Sequence, residues 1–462
     1  VSVLIAALAF VFKSPQLISR LVSPVQVQQE EAVNLEFGRI IASGQSLYPD
    51  IRQGGPYLHC SYPPLFPYLE SQFLKSSPNV WLPGRLLAWL GYLGCGVLIA
   101  FAGWKRWGLN AWLVLLPCLL WMSPTWEMWG TMVRMDTLLL FVNFSAFLIL
   151  LWNAEREEGN TKRFIWLVGG LLNAAAIMMK PTALTLTLAM VFWALGKRRP
   201  KDLIWFLLGA LGPVLVSLAV LQWQTGGMYW IDTIRWAALG FSLQRLFHFI
   251  LHGFLKEAGW LAALVILTLK FKKLPLLLKF QQALSFLSLW TLCRDGSAEN
   301  YYMEFILYGL FAAGEGWAYH EKKPAEHVWL PCAAGVLVLT GVIVLSLAPG
   351  PSVPSVDEIK MKESVSSIYQ KGQYHLALDN DLVVMAGKPI WYQPSGIISI
   401  LQAGAWDPAS LLRDIQNHKF TTIEFYDLPH QYLYAPLVEQ TVLQNYRVGR
   451  KAYGRVWYVP KT

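Results

Sequence analysis

Charge is what this chain has least of. Asp, Glu, Lys and Arg make up 15% of its 462 residues and apolar residues 55%, a balance that excludes an ordinary soluble domain. Cysteine is sparse as well. Cys60, Cys95, Cys118, Cys293 and Cys332 form no CxxC and no Cys/His pair at metal-binding spacing, which leaves no disulfide framework or zinc module to read. His248 and His252 stand four residues apart without a third ligand, so they and His59 read as interfacial or satisfied histidines. There is no internal repeat and no low-complexity tract. The net charge is +9, but the basic residues are dispersed over short linkers, which reads as membrane topology and not as a nucleic-acid surface.

Apolar runs, broken by short polar segments, extend from Val1 to about residue 348. A hydrocarbon core about 30 Å thick takes roughly 20 apolar residues per helix. About eleven stretches qualify on that scale: 1–13, 81–103, 110–125, 136–152, 163–179, 181–196, 203–222, 247–269, 274–292, 301–319 and 328–348. The first is short and starts at Val1, so the sequence predicts a first helix that lacks its beginning. Lys105-Arg106, Lys162-Arg163, Lys197-Arg198-Arg199, Lys270-Phe271-Lys272-Lys273 and Lys322-Lys323 come at every second crossing, and the positive-inside rule puts them in the cytoplasm. Residues 14–80, 123–135, 223–246, 293–300 and 349–462 then lie outside.

The expected fold class is a polytopic α-helical membrane protein of the plasma (inner) membrane. Its transmembrane domain covers 1–348 and includes a long first outer loop, 14–80. In that loop residues 30–43 read as an amphipathic helix. Val33, Phe37, Ile40 and Ile41 share one side, Glu30, Glu31, Asn34 and Arg39 face water or a site, and Gly44 ends the helix. A second helix should start near Tyr62-Pro63-Pro64-Leu65 and lie in the membrane interface. After Pro349-Gly350-Pro351 the charge density becomes ordinary. Residues 352–462 are expected to form a small extracytoplasmic α/β domain. Its strands are expected at 377–378, 382–384, 422–425 and 455–459, and a helix at 407–417, capped by Asp407.

The polar residues of the outer breaks are the candidates for chemistry, because charge at a membrane helix end is costly unless it is used. Glu30 and Glu31 could deprotonate a hydroxyl or hold a divalent cation; a helix start that favours acidic residues is the plain alternative. Arg134 and Asp136 either anchor a helix end or orient a substrate or basic group. Lys180, on the side that disfavours lysine, suits a phosphate, or else snorkels to the interface. The run Arg294-Asp295-Gly296-Ser297-Ala298-Glu299-Asn300-Tyr301-Tyr302-Met303-Glu304 carries its polar groups into an apolar helix, where Glu304 must be paired or face a cavity.

Glu31, Gly44, Leu47-Tyr48 and Tyr62-Pro63-Pro64-Leu65 together resemble the first outer loop of bacterial GT-C glycosyltransferases, the group that includes protein mannosyltransferases and lipid A aminoarabinose transferases. Arg134-Met135-Asp136 resembles their Arg-x-Asp, and Lys180-Pro181-Thr182 their Lys-x-Thr. The stretch from Gly296-Ser297 through Asn300-Tyr301-Tyr302 to Glu304, with Ala386-Gly387-Lys388-Pro389 and Trp406-Asp407, is similar to an uncharacterised bacterial branch. Where studied members often carry Asp-Glu or a lone Asp, this chain has Glu30-Glu31, which leaves the base and any metal open. The resemblance implies transfer of a sugar from a polyprenyl-phosphate donor to a hydroxyl acceptor, in lipid, glycan or protein, on the non-cytoplasmic face. It implies Glu31 as base with Glu30 beside it or as metal ligand. Lys180, Arg294 and Tyr62 would serve the donor phosphate, and Arg134, Asp136, Asn300, Tyr301 and Glu304 the pocket. No cofactor is certain; a divalent metal is left open. A catalytically silent polyprenyl-phosphate-binding scaffold and a lipid or small-molecule transporter are the alternatives, although transporters usually carry repeats and midplane charges.

Overall fold

In hydrocarbon, every backbone N–H and C=O must be satisfied within the segment, which leaves long apolar runs the α-helix. The computed structural model of the chain is accordingly helical along most of its length. It describes residues 2–28, 30–156, 162–238, 240–269, 274–294, 296–321, 329–427 and 436–461. The basic linkers Lys270-Phe271-Lys272-Lys273 and Lys322-Lys323, and Asp295, lie outside the described residues.

Among the described residues, six helices are long and apolar enough to cross a membrane: Ser2–Val22, Leu82–Trp107, Asp136–Ala154, Pro200–Gln224, Leu243–Thr268 and Leu276–Cys293. Trp112–Trp121, Arg163–Ile177, Pro181–Lys197 and Cys332–Leu347 are apolar but shorter. Not all of the eleven expected stretches therefore reach spanning length. The expected stretches 163–179 and 181–196 are separated at Lys180 by extended backbone and a 3₁₀ turn at Pro181–Ala183. The first helix runs on to Val22 instead of ending near residue 13. Lys13 does not mark its end, because the ammonium is paired with buried Glu127 at 2.9 Å.

The chain forms two compact units: Val1–Leu21, Gly84–Ser217 and Ser242–Ser352 in one, Val22–Pro83, Leu218–Phe241 and Val353–Thr462 in the other. The first unit is built of packed helices. Asp136–Ala154 lies along Arg163–Ile177, and Leu255–Leu269 packs on Tyr302–Glu321 and Trp329–Leu347. Small residues let these backbones approach, as is usual between membrane helices. A Cβ on Gly91 would lie 2.3 Å from the backbone N of Leu138, and Cβ atoms on Gly170 and Gly209 would each meet a carbonyl of the facing helix at 2.3 Å.

The second unit joins the first long loop to the C-terminal segment. Tyr57 pairs with Tyr392 in a parallel bridge, with Tyr57 N donating to Trp391 O at 2.8 Å and Gln393 N to Tyr57 O at 3.0 Å. The C-terminal segment contains a four-stranded sheet in the order β1-β2-β4-β3: β1 is His375–Leu376, β2 Thr422–Tyr426, β3 Tyr446–Ala452 and β4 Arg455–Pro460. β1 runs parallel to β2, and the other pairs are antiparallel. β3 and β4 are joined through Tyr453 and Gly454, both at positive φ, as a two-residue hairpin turn requires. Residues 382–384, expected as a strand, belong instead to the helix Asn380–Met385, where Asn380 to Val384 are all buried. A short apolar run buried on every side carries no period to tell strand from helix. Ala377-Leu378 falls just beyond β1. The expected helix at 407–417 runs from Ala409 to Gln416, with the Asp407 carboxylate accepting from Ala409 N at 2.9 Å.

Candidate functional site

Within the helical unit, three separate breaks bring their polar residues together. Asp136 is the first residue of its helix, Lys180 sits in the extended link between two short helices, and Asn300 and Tyr301 form the 3₁₀ turn that enters the helix Tyr302–Glu321. Asp136 is the hub. Its Oδ1 accepts from Lys180 Nζ at 2.8 Å and from Asn300 Nδ2 at 2.7 Å, while Arg134 Nε lies 3.6 Å from Oδ2. The Lys180 ammonium also sits 4.4 Å from the centre of the Tyr301 ring, and the Arg134 guanidinium 4.8 Å from that of Trp129. Asp136, Lys180 and Asn300 are buried. Two cations, Arg134 and Lys180, thus stand beside one buried carboxylate.

Glu304 is held apart from this hub. It is buried and accepts from the Thr185 hydroxyl and from Gln281 Nε2 at 2.8 Å, so its demand for partners is met inside the helix packing. Arg294 is half-buried at the end of a 3₁₀ turn, and among the described residues no ion pair joins its guanidinium to the Asp136 cluster. Sequence reasoning passed over other charges in the interior of this unit: half-buried Glu257 and buried Arg20 and Arg85. Glu257 accepts from Thr125 Oγ1 at 2.6 Å and from the Ser123 hydroxyl. Arg20 Nε donates to Thr131 Oγ1 at 2.9 Å, and Arg85 Nη1 donates to the Arg20 carbonyl at 3.1 Å. Lone arginines in apolar runs were the signal for the last two.

In the second unit the helix Glu31–Ala42 carries the carboxylates of the first loop. It ends as expected on Gly44 at φ 75, with Gly44 N donating to Ile41 O and Gln45 N to Ile40 O, a Schellman closure. The helix is buried on most sides, Asn34 and Glu36 included, because it packs against both Leu65–Ser71 and Asn380–Met385. Glu31 is 1% exposed, and its Oε2 accepts from Val27 N at 2.8 Å. Glu30 precedes it at φ 75, a left-handed conformation that costs an L-residue about 1 kcal/mol or more, and its carboxylate accepts from the Ser395 hydroxyl. Glu36 is pushed up to about 7 by burial, against the pull of Arg39, which lies 3.6 Å away.

Tyr62 lends its carbonyl to Tyr48 Oη at 2.8 Å, and the short helix follows directly from Pro64. At the far end of that helix is Glu70, which sequence reasoning did not select. It is fully buried, and among the described residues neither carboxyl oxygen has a hydrogen-bond partner. Asp232 is likewise buried with both oxygens unbonded among the described residues; burial raises its carboxyl well above the usual range, with Asp50 adding to the effect. Among the described residues no three His, Cys, Asp or Glu side chains gather to hold a metal ion, Glu30 and Glu31 included.

No family model matches the chain, and no curated protein matches it. Solved structures do. ArnT from Cupriavidus metallidurans bound to undecaprenyl phosphate is 12% identical, with a TM-score of 0.65 over 98% of this chain and 97% of that one. The apo state of the same protein gives 14% identity and a TM-score of 0.63 over 97% of both chains. The Archaeoglobus fulgidus oligosaccharyltransferase in complex with Zn and sulfate gives 14% identity and 0.54, over 100% of this chain and 73% of that one. At such identities the likeness speaks for the fold, and the fold is GT-C-like.

Proposed function

We propose that the protein is an integral-membrane glycosyltransferase that moves a sugar from a polyprenyl-phosphate donor to a hydroxyl acceptor on the non-cytoplasmic face of the plasma (inner) membrane. The observation that carries this reading is the likeness, over nearly the whole length, to a protein crystallised with undecaprenyl phosphate. The cations Lys180 and Arg134 beside Asp136 support it independently, since a leaving phosphate needs a cation.

In the proposed reaction the acceptor oxygen attacks the anomeric carbon while Glu31 accepts the hydroxyl proton. The bond from the anomeric carbon to the phosphate oxygen breaks, and the polyprenyl phosphate leaves with the bonding electrons. Lys180 and Arg294 would neutralise that developing charge. Asp136, with Asn300 and Tyr301, would hold the Lys180 ammonium in place; Arg134 would shape the pocket, Tyr62 would serve the donor phosphate, and Glu30 would support Glu31.

Membranes containing the protein, given a panel of radiolabelled polyprenyl-phosphate sugars, should transfer one of them. Glu31→Gln should lower that transfer by about 10²-fold or more, the usual weight of a general base, with the thermal unfolding midpoint unchanged. Full residual transfer would remove Glu31 as the base.

A further inference from the structure

Helix Glu31–Ala42 and helix Leu65–Ser71 pack closely, and Gly38 makes room for Glu70 between them. A Cβ on Gly38 would stand 3.0 Å from Glu70 Oε2. Positions 31 and 38 are seven residues apart, on one face of the helix and about 10 Å apart along its axis. The same face thus carries Glu31 at one level and the Glu70 carboxyl at another. Their surroundings differ in kind. Glu31 accepts a backbone N–H in the first turn of its helix, where the dipole favours negative charge. Glu70 has no hydrogen-bond partner among the described residues, and its neighbourhood offers little cation. Arg39 lies 3.6 Å from Glu36, and Asp381 on the packed helix Asn380–Met385 is paired with Lys362 at 2.8 Å.

We infer that Glu70 is a positioning residue for Glu31: a carboxyl that keeps its proton on the same helix face and so leaves the negative charge of that face to Glu31. The inference rests on the reading of Glu31 as base. A fully buried carboxylate without a partner is too costly to persist, so the group stays neutral. Burial raises its carboxyl well above the usual range, with the charge of Glu31 adding to the effect and Arg39 opposing it.

The test is infrared titration of the full chain in lipid nanodiscs, for wild type, Glu70→Gln and Glu31→Gln. At pH 7 the wild type should show a protonated-carboxyl component that Glu70→Gln removes, beside those of Glu36 and Asp232. In Glu31→Gln its midpoint should fall by on the order of one pH unit, as the loss of a unit charge on the same helix face implies. Absence of a band that Glu70→Gln removes, or a midpoint unmoved by Glu31→Gln, would overturn the inference. Thermal unfolding is the second measurement. A carboxyl raised by folding lends stability below its unfolded value near 4.5 and loses it as pH rises through the folded one. Glu70→Gln should therefore be at least as stable as wild type at pH 7, with an advantage that grows with pH; destabilisation at every pH would show an ionised, structurally paired Glu70. Should Glu31→Gln keep full transfer, the base reading fails while the infrared results still report on Glu70.

Discussion

Asp136 gathers two cations and an amide around a single buried carboxylate. Its two neighbours Lys180 and Arg134 depend on that charge, since removing one partner of a buried pair strands the other. Asp136→Asn should therefore destabilise the protein by about 3–5 kcal/mol, readable as a lowered unfolding midpoint in detergent. Lys180→Ala leaves Asp136 with Asn300 and Arg134 and removes one of the two cations. Under the proposed function it should weaken binding of the polyprenyl phosphate tenfold or more; unchanged affinity would mean that the phosphate is held elsewhere. Glu36 offers a pH readout in the other unit. Burial holds its carboxyl at about 7, so its share of stability is present below about 4.5 and is lost as pH rises towards 7. Glu36→Gln should flatten that slope of the unfolding midpoint between pH 4.5 and 7.

The elements are held by close backbone approach as much as by side-chain packing. Leu82–Trp107 meets the start of Asp136–Ala154 at Gly91, and Thr137 Oγ1 donates to the Ala88 carbonyl at 2.6 Å across the same contact. A methyl at Gly91 would collide with backbone, which cannot rotate away. Gly91→Ala should destabilise by about 1–3 kcal/mol and, by pushing back the helix that begins with Asp136, weaken binding of the polyprenyl phosphate that the proposed function requires. Gly212, in Pro200–Gln224, has no atom within 4 Å of an added Cβ, so Gly212→Ala should change stability by no more than about 0.5 kcal/mol. Both glycines stand in apolar runs, and nothing in the sequence separates them. The ends of elements were easier to read: Gly44 and Pro64 mark helix ends through their own backbone chemistry. The run at 382–384 was misread as a strand because three apolar residues satisfy either period.

At the scale of the molecule, apolar runs separated by polar breaks lead to a helical membrane protein with a GT-C-like fold. Deleting the gene and profiling lipids and glycans by mass spectrometry should reveal one missing glycoform, which would name sugar and acceptor together; an unaltered profile would favour a silent scaffold. The sequence by itself determined the helical class, the polar breaks and the residues Asp136, Lys180 and Asn300 as suspects, because hydrophobic runs and misplaced charges are local properties that need no partner to be seen. Only the tertiary structure decided that those three side chains meet, that Glu304 is satisfied by Thr185 and Gln281 instead, and that Glu70 lies buried against Gly38. Hydrogen bonding and desolvation depend on which distant segments come together, and that is settled by packing over the whole chain.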